Sequence, residues 1–425
     1  MELPSHEHRR ATLRLDRAAI EAHQLARLNE LLATILPANP LYAHKLAGRP
    51  AHLESLHQLA ELPFTTKDDL LPGRADGDNL PTNHTFRPQD YVRYHQTSGT
   101  RGRPMMVLDT ADDWRWWIGC WQYVLDAADV RPDDRVMMAF SFGPFIGFWS
   151  AYDAVVARGA MAIPGGGLGS LARLELMRTT GATVLCCTPT YALRLAEVAA
   201  EQAFPLSELD VRTILVAGEP GGSVPAMRER MESAFAAHVV DHAGASEVGP
   251  WGFADAARKG LQILEIEFIA EFLSTETGAP AASGELAHLV LTSLGRYGAP
   301  VIRYRTGDLV RPIWPADGPC RFVLLEGGVL GRADDMMIIR GMNVFPSAVE
   351  QILHGFPEVA EYRMTARKDR EMDTLLVEVE DRMESPERIA KELHLRLGLS
   401  IEVRCVSVGT LPRYDGKGRR FADER

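Results

Sequence analysis

Several features that would fix the class of this chain at a glance are missing. Its five cysteines, at 120, 186, 187, 320 and 405, show no C-x-x-C spacing. That argues against a zinc site or a disulfide framework and suits a reducing cytoplasm. No Gly-Lys-Ser/Thr closes a glycine-rich loop, so the Walker phosphate loop is absent. The opening stretch MELPSHEHRRATLRLDR has no apolar core, and no secretory signal is expected in it. The uncharged run from Val136 to Tyr152 is interrupted by Gly143, Pro144 and Gly147. It is shorter than the roughly 20 residues a spanning helix needs, and it reads as a buried strand, a bend and the start of a helix. Basic residues are outnumbered, 46 Lys and Arg against 57 Asp and Glu, for a net charge of −11. A nucleic acid or an anionic membrane is therefore not expected as a partner, although a local basic pocket for a polyanion remains open.

What is there reads as an ordinary globular chain of 425 residues, 46% hydrophobic and 24% charged, with room for one large domain and a small one. Residues 18–36 have helical periodicity and stop at Pro37, and Thr65-Thr66 marks a second helix entrance. From Val136 short apolar runs (136–140, 160–163, 183–187, 214–217, 239–240) alternate with helical stretches at 170–180, 190–203 and 225–236. This is the pattern of a parallel sheet with right-handed crossovers. Ligands on such sheets sit beyond the carboxyl ends of the strands, which is where Ala217-Gly218-Glu219-Pro220 and Asp241-His242-Ala243-Gly244 fall. From about residue 260 the chain turns β-rich, and after Gly331 it reads as a compact α+β unit. The expected fold is α/β. A large N-terminal domain, residues 1–331, has parallel sheets and a β-rich barrel-like piece, and a small mobile α+β C-terminal domain covers residues 332–425.

The stretch Thr97-Ser98-Gly99-Thr100-Arg101-Gly102-Arg103-Pro104 concentrates hydroxyls, glycines and arginines. Glycine permits close backbone approach, and hydroxyls, main-chain N–H groups and arginines can wrap a polyphosphate. Alone it would equally be a solvated turn. It is followed in order by Gly244-Ala245-Ser246-Glu247, Tyr304-Arg305-Thr306-Gly307-Asp308, Gly331-Arg332-Ala333-Asp334-Asp335 and Gly416-Lys417. Gly165-Gly166-Gly167 is read as a strand-to-helix turn, since no charged group accompanies it.

The order and spacing of these motifs resemble the adenylate-forming superfamily of acyl-CoA synthetases. The run GRADDMMIIRGMNVFPSAVE, with Asn343-Val344-Phe345-Pro346 and Glu350, is similar to its phenylacetate–CoA ligase branch. The resemblance implies roles for particular residues. Thr97, Ser98, Gly99, Thr100, Arg101 and Gly102 would hold phosphates. Gly218, Glu219, Pro220, Asp241 and His242 would border the nucleotide. Glu247 would hold Mg²⁺, and Ser246 would contact the α-phosphate. Asp308 and Arg332 would take the ribose, Gly341 would let the pantetheine arm pass, and Asp334 would be the hinge. Lys417, Glu247 and Ser246 would be catalytic, the lysine stabilising charge during adenylation. The family usually has Tyr where this chain has Ala243, with His242 or Trp251 as substitutes for the adenine contact.

Phe140, Phe142 and Phe145, with Ala243 and Gly244, are candidates for a flat apolar acyl pocket, although aromatics this dense also build cores. The expected activity is an ATP-dependent aryl-acid–CoA ligase of the AMP-forming acid–thiol type, for a monocarboxylic acid of the phenylacetate or benzoate kind. ATP, Mg²⁺ and coenzyme A are its expected cofactors and co-substrates. Neither nucleic acid nor membrane is expected as a partner, and the sequence leaves room for a homodimer. The rivals are an adenylating enzyme that delivers to a carrier-protein thiol or an amine, and an inactive nucleotide-binding protein.

Overall fold

A computed structural model describes residues 3–71, 81–97, 104–333, 337–339, 342–369, 372–413 and 420–424. Helices α1 (His6–Thr12), α2 (Arg17–Ile35), α3 (Pro40–Lys45) and α4 (Lys67–Leu70) come first. An antiparallel hairpin follows, β1 (Tyr91–Gln96) and β2 (Met106–Thr110). It runs into α5 (Ala111–Ala127), which starts on a capping box in which Thr110 and Asp113 satisfy each other's backbone donors.

The centre is doubly wound. Strands β3 (Arg135–Met138), β4 (Met161–Pro164), β5 (Val184–Cys187), β6 (Thr213–Ala217) and β7 (His238–Ala245) pair in parallel. They are connected by α6 (Ile146–Arg158), α7 (Ser170–Thr180), α8 (Pro189–Glu201) and α9 (Pro225–Phe235). Side chains along a strand alternate between faces, and here the alternation sorts the apolar runs into two cores. Val136, Met138, Val184, Cys186, Leu215 and Val240 point one way, with Trp121 of α5 and Val155 of α6. Met137, Leu185, Cys187, Ile214, Val216 and Val239 point the other way, against Leu174, Leu195 and Met231 of α7, α8 and α9. The runs of β3, β5 and β6 are almost wholly apolar because these inner strands are covered on both faces, whereas the edge strand β4 leaves Met161 exposed. The strand order β4-β3-β5-β6-β7 reverses at β3, so the crevice at the carboxyl ends of β3 and β5 is the natural ligand position.

The β-rich stretch divides between two sheets. Strands β8 (Gly249–Ala254), β9 (Gly260–Ile263), β13 (Pro312–Ile313) and β14 (Leu324–Glu326) extend the central sheet antiparallel. Strands β10 (Phe268–Ser274), β11 (Ala287–Ser293), β12 (Tyr304–Val310) and β15 (Gly331–Arg332) form a separate four-stranded sheet. The N-terminal helices are bolted to this region. Arg17 grips Glu265 with two 2.8 Å bonds. The Gln24 amide donates to the carbonyls of Glu265 and Phe268 at 2.8 and 3.0 Å.

Beyond Arg332 the elements are β16 (Met337–Ile339), β17 (Met342–Val344), α10 (Pro346–Leu353), β18 (Val359–Asp369), β19 (Met372–Asp381), α11 (Pro386–Leu397), β20 (Glu402–Cys405) and β21 (Phe421–Asp423). Their apolar residues, among them Val349, Met364, Val377 and Leu393, make a core of their own. No described helix is long and apolar enough to cross a membrane.

Candidate functional site

Four chain segments carry the expected site residues. The first is the hairpin neck. Thr97 is buried and closes the β1–β2 loop, its N–H donating to Met105 O at 2.9 Å and its Oγ1 accepting from Met105 N at 3.0 Å. Ser98, Gly99, Thr100, Arg101 and Gly102 lie outside the described residues, as do Asp334, Gly341 and Lys417.

The second is the tight turn from β7 to β8. Val248 N–H closes it on Ala245 O at 3.1 Å. Gly249 follows at φ +132, a conformation open only to glycine, and an added Cβ would press on Trp116 and Phe268. Ser246 therefore sits between two antiparallel strands rather than at a helix start, and its carbonyl accepts from Arg296 Nη1 at 2.9 Å. The Glu247 side chain is 12% exposed. Its Oε1 accepts from the Tyr304 hydroxyl at 2.6 Å and lies 3.8 Å from Lys67 Nζ. Burial and the Glu247 charge both push the Tyr304 phenol up, so it stays a donor. Glu247 Oε2 takes no hydrogen bond among the described residues. A single carboxylate with a free oxygen suits Mg²⁺, which completes its shell with phosphate and water oxygens.

The third segment is the β12–β15 ladder, where Asp308 pairs with Arg332. Arg332 Nη1 donates to Asp308 Oδ1 at 3.0 Å and to Thr306 O at 2.8 Å. Gly307, at φ +79, makes room for this arm, since a Cβ would come within 2.7 Å of Arg332 Nη2. Burial raises the Asp308 carboxyl against the pull of Arg332, and the nearby Glu247 adds to the rise. Glu247 and Asp308, far apart in sequence, thus feel each other's charge.

The fourth is the end of β6. Gly218 turns there at φ +93 and is exposed with Pro220. Glu219 turns its carboxylate back onto the start of α8, accepting from Thr190 N at 2.8 Å and from the Thr190 hydroxyl.

Burial defines the surroundings of several expected residues. The His242 ring, 6% exposed, packs on Trp121 at 4.3 Å, and Nδ1–H donates to Gly252 O at 2.6 Å. Burial lowers its pKa to about 4. Trp251 is 2% exposed, so neither ring offers a face to adenine. The Asp241 carboxylate is used internally, by Ser223 Oγ at 2.5 Å and His242 N at 3.0 Å, and burial raises it to about 6. Phe140 belongs to the core, stacked on Phe148 at 3.9 Å. Phe142 wedges against Trp149 and Tyr152, whereas Phe145 is exposed. Ala243 is half-buried and Gly244 is exposed at the end of β7.

Lys67 and Tyr304 were not among the expected site residues. Thr65 bridges to Tyr304, its N–H donating to Arg303 O and its carbonyl accepting from Arg305 N, each at 2.9 Å. That delivers the first residue of α4, Lys67, to Glu247. The hydroxyl pair Thr65-Thr66 marked the helix start; the cation beside it was the available signal.

Residues 22–268 match the AMP-binding enzyme family, and residues 341–425 match the AMP-binding enzyme C-terminal domain. The chain is 31% identical to the phenylacetate-coenzyme A ligase of Pseudomonas putida over 96% of this chain and 94% of that protein. It matches 2-hydroxyisobutyryl-CoA ligase in the postadenylation state, in complex with R3-HIB-AMP, with a TM-score of 0.91 at 26% identity, covering 98% of this chain and 92% of that one. Against the same ligase with 2-HIB-AMP and CoA in the thioesterification state the TM-score is 0.74 at 26% identity, with coverage of 100% and 94%. Identity and coverage hardly change between the two states, so the drop reports arrangement. This chain superposes more closely on that ligase in its postadenylation state.

Proposed function

The chain belongs to the AMP-binding enzyme family, and on that premise we propose that it activates an aromatic monocarboxylic acid with ATP and passes the acyl group to coenzyme A. It is an AMP-forming acid–thiol ligase. The observation that carries the reading is the convergence of Glu247 with Tyr304 and Lys67 beside the Asp308–Arg332 pair at one sheet edge. In the first half-reaction a substrate carboxylate oxygen bonds to the α-phosphorus of ATP and pyrophosphate leaves. In the second a thiol sulfur bonds to the acyl carbon and AMP leaves.

Both partners of the first step are anions, so the site must supply cations and oriented donors where charge develops. We assign Glu247 to hold Mg²⁺, which when bound would supply charge neutralisation at the phosphates. Lys67 stands beside that carboxylate as a further cation. Asp308, steadied by Arg332, accepts the ribose hydroxyls. We assign adenine to the edge beyond β6 and β7, where Gly218, Pro220 and Gly244 are exposed. Residues 97–102 take the outer phosphates, Lys417 the α-phosphate region, and Gly341 the pantetheine arm. The small domain, from 332 onward, turns about Asp334 between steps. Phe142, Phe145 and Ala243 border the aryl group, near the crevice at the carboxyl end of β3. All five cysteines are free thiols and four are buried, in keeping with a reducing cytoplasm as the proposed compartment.

The test is a panel of aryl acids assayed for AMP release with and without CoA. Acid-dependent pyrophosphate exchange together with CoA consumption is the expected result. Exchange without CoA consumption would move the acceptor to a carrier thiol or an amine, and no exchange with any acid would sink the reading.

A further inference from the structure

We propose that Arg296 is a positioning residue for nucleotide activation, tying the Ser246–Glu247 turn to the β1–β2 hairpin through Asp109. The proposal rests on the assignment of Glu247 to the metal.

The Arg296 and Asp109 side chains are both 0% exposed. Withdrawing an ion pair this completely from water is costly, and a packed apolar pair would serve stability as well or better. The geometry gives the pair another use. Arg296 Nε donates to Asp109 Oδ1 at 2.8 Å, and Nη2 lies 2.7 Å from the same oxygen. The third arm, Nη1, donates to Ser246 O at 2.9 Å. That carbonyl belongs to the peptide joining Ser246 to Glu247, so its orientation sets where the Glu247 side chain departs. Asp109 lies in β2, which begins immediately after the hairpin neck, and Trp117 Nε1 donates to its Oδ1 at 3.2 Å. One rigid guanidinium fork therefore spans the two chain segments that border the phosphate region, and Arg296 lines the same small cleft as Glu247, Met105 and Leu108.

The loop that presents Arg296 has no slack. Gly298 N–H donates to Asp113 Oδ1 at 3.0 Å, and Gly298 O accepts from Tyr91 OH at 2.6 Å and Thr85 N at 3.0 Å. A Cβ on Gly295 would lie 2.2 Å from Trp116, and one on Gly298 2.2 Å from Asp113 Oδ2. The cluster is not built for stability alone, because among the described residues Asp109 Oδ2 and His95 Nδ1 are buried with no hydrogen-bond partner. Burial, opposed by Arg296, leaves the Asp109 carboxyl at about 6.

The test uses the full chain. R296K keeps a buried cation near Asp109 but cannot fork to Ser246. We expect folded R296K to lose about 10–100-fold in acid-dependent pyrophosphate exchange, as outer-shell partners of metal ligands do. Its magnesium titration should shift to higher concentration while KM for the acid holds. D109N, equal in shape, should show the same pattern and serves if R296K does not fold. In the E247Q background R296K should add little further loss, because both act through one group. Wild-type exchange and magnesium dependence in either folded variant, or a loss that multiplies in full with E247Q, would overturn the tether. Should the wild-type protein lack acid-dependent exchange, the functional reading fails on its own. The tether is then still decided by the magnesium-ATP affinity of the same variants, measured by calorimetry, where it predicts weaker binding in each.

Discussion

Glu247 and His95 illustrate how one residue's surroundings set its chemistry. Glu247 has Oε1 occupied by Tyr304 and Oε2 without a hydrogen bond among the described residues. E247Q retains the Tyr304 contact and loses the charge. We expect the magnesium requirement to rise and turnover to fall by more than KM for ATP rises, by at least the about tenfold that an outer partner would cost. An unchanged magnesium titration with normal turnover would make Glu247 structural. His95 stacks on Trp114 at 5.3 Å, and burial, together with Arg296 and Arg93, lowers its pKa to about 4 from an ordinary 6.5. As pH falls below 6.5 the unfolded chain takes up a proton that the folded one refuses, so His95 withdraws stability from there down to about 4. H95F keeps a ring against Trp114 and does not titrate. At pH 5 it should gain up to about 2 kcal/mol over wild type relative to the difference at pH 7.5. Urea midpoints at the two pH values give the answer, and equal differences would contradict it.

Between elements, the contact most exposed to test is that of α10 with β15. Ser347, in the first turn of α10, donates from Oγ to Leu330 O at 2.5 Å, and a Cβ on Gly331 would collide with that hydroxyl. This joins the last strand of the four-stranded sheet to the first helix of the C-terminal part. S347A removes the bond without adding bulk. It should favour departure from the present arrangement, lowering the rate of pyrophosphate exchange relative to that of CoA-dependent product formation by a few-fold, the worth of about one hydrogen bond. The ratio of half-reactions in the folded variant is the measurement, and a wild-type ratio would assign Ser347 to packing alone. The β1–β2 hairpin and α5 were the elements hardest to read from sequence. Helical periodicity in α5 fades because Cys120 to Leu125 are all buried, so no polar face marks the turn.

For the molecule as a whole the question is what a second arrangement would do. The present one leaves a cavity between α8, α9 and the edge of β18, lined by Arg194, Arg230, Tyr362, Arg413 and Arg420. This arrangement superposes more closely on the related ligase in its postadenylation state than in its thioesterification state. If Lys417 serves only the step in which charge develops on the α-phosphate, K417A should nearly abolish adenylate formation. Thiol transfer from a supplied acyl-adenylate should survive. Equal loss of both half-reactions would remove the lysine from its assigned role and with it the reason for a rotating domain.

The sequence by itself determined the strand–helix alternation, the order of the motifs and the family they belong to, because periodicity and spacing are local properties of the chain. It also singled out Glu247 and Asp308, each beside a glycine, Gly249 or Gly307, that positive φ and close neighbours require. What it could not decide was which way a polar side chain faces once its strand is covered on both sides. Asp241 and His242 are adjacent and both polar, yet one turns to Ser223 and the other to Trp121, and both are spent inside the protein. Only the tertiary structure buried them among internal partners and turned Glu219 back onto α8. It also brought Lys67 to Glu247 and Arg296 to the Ser246 carbonyl from distant parts of the chain. These placements depend on contacts between segments far apart in sequence, which no local pattern encodes.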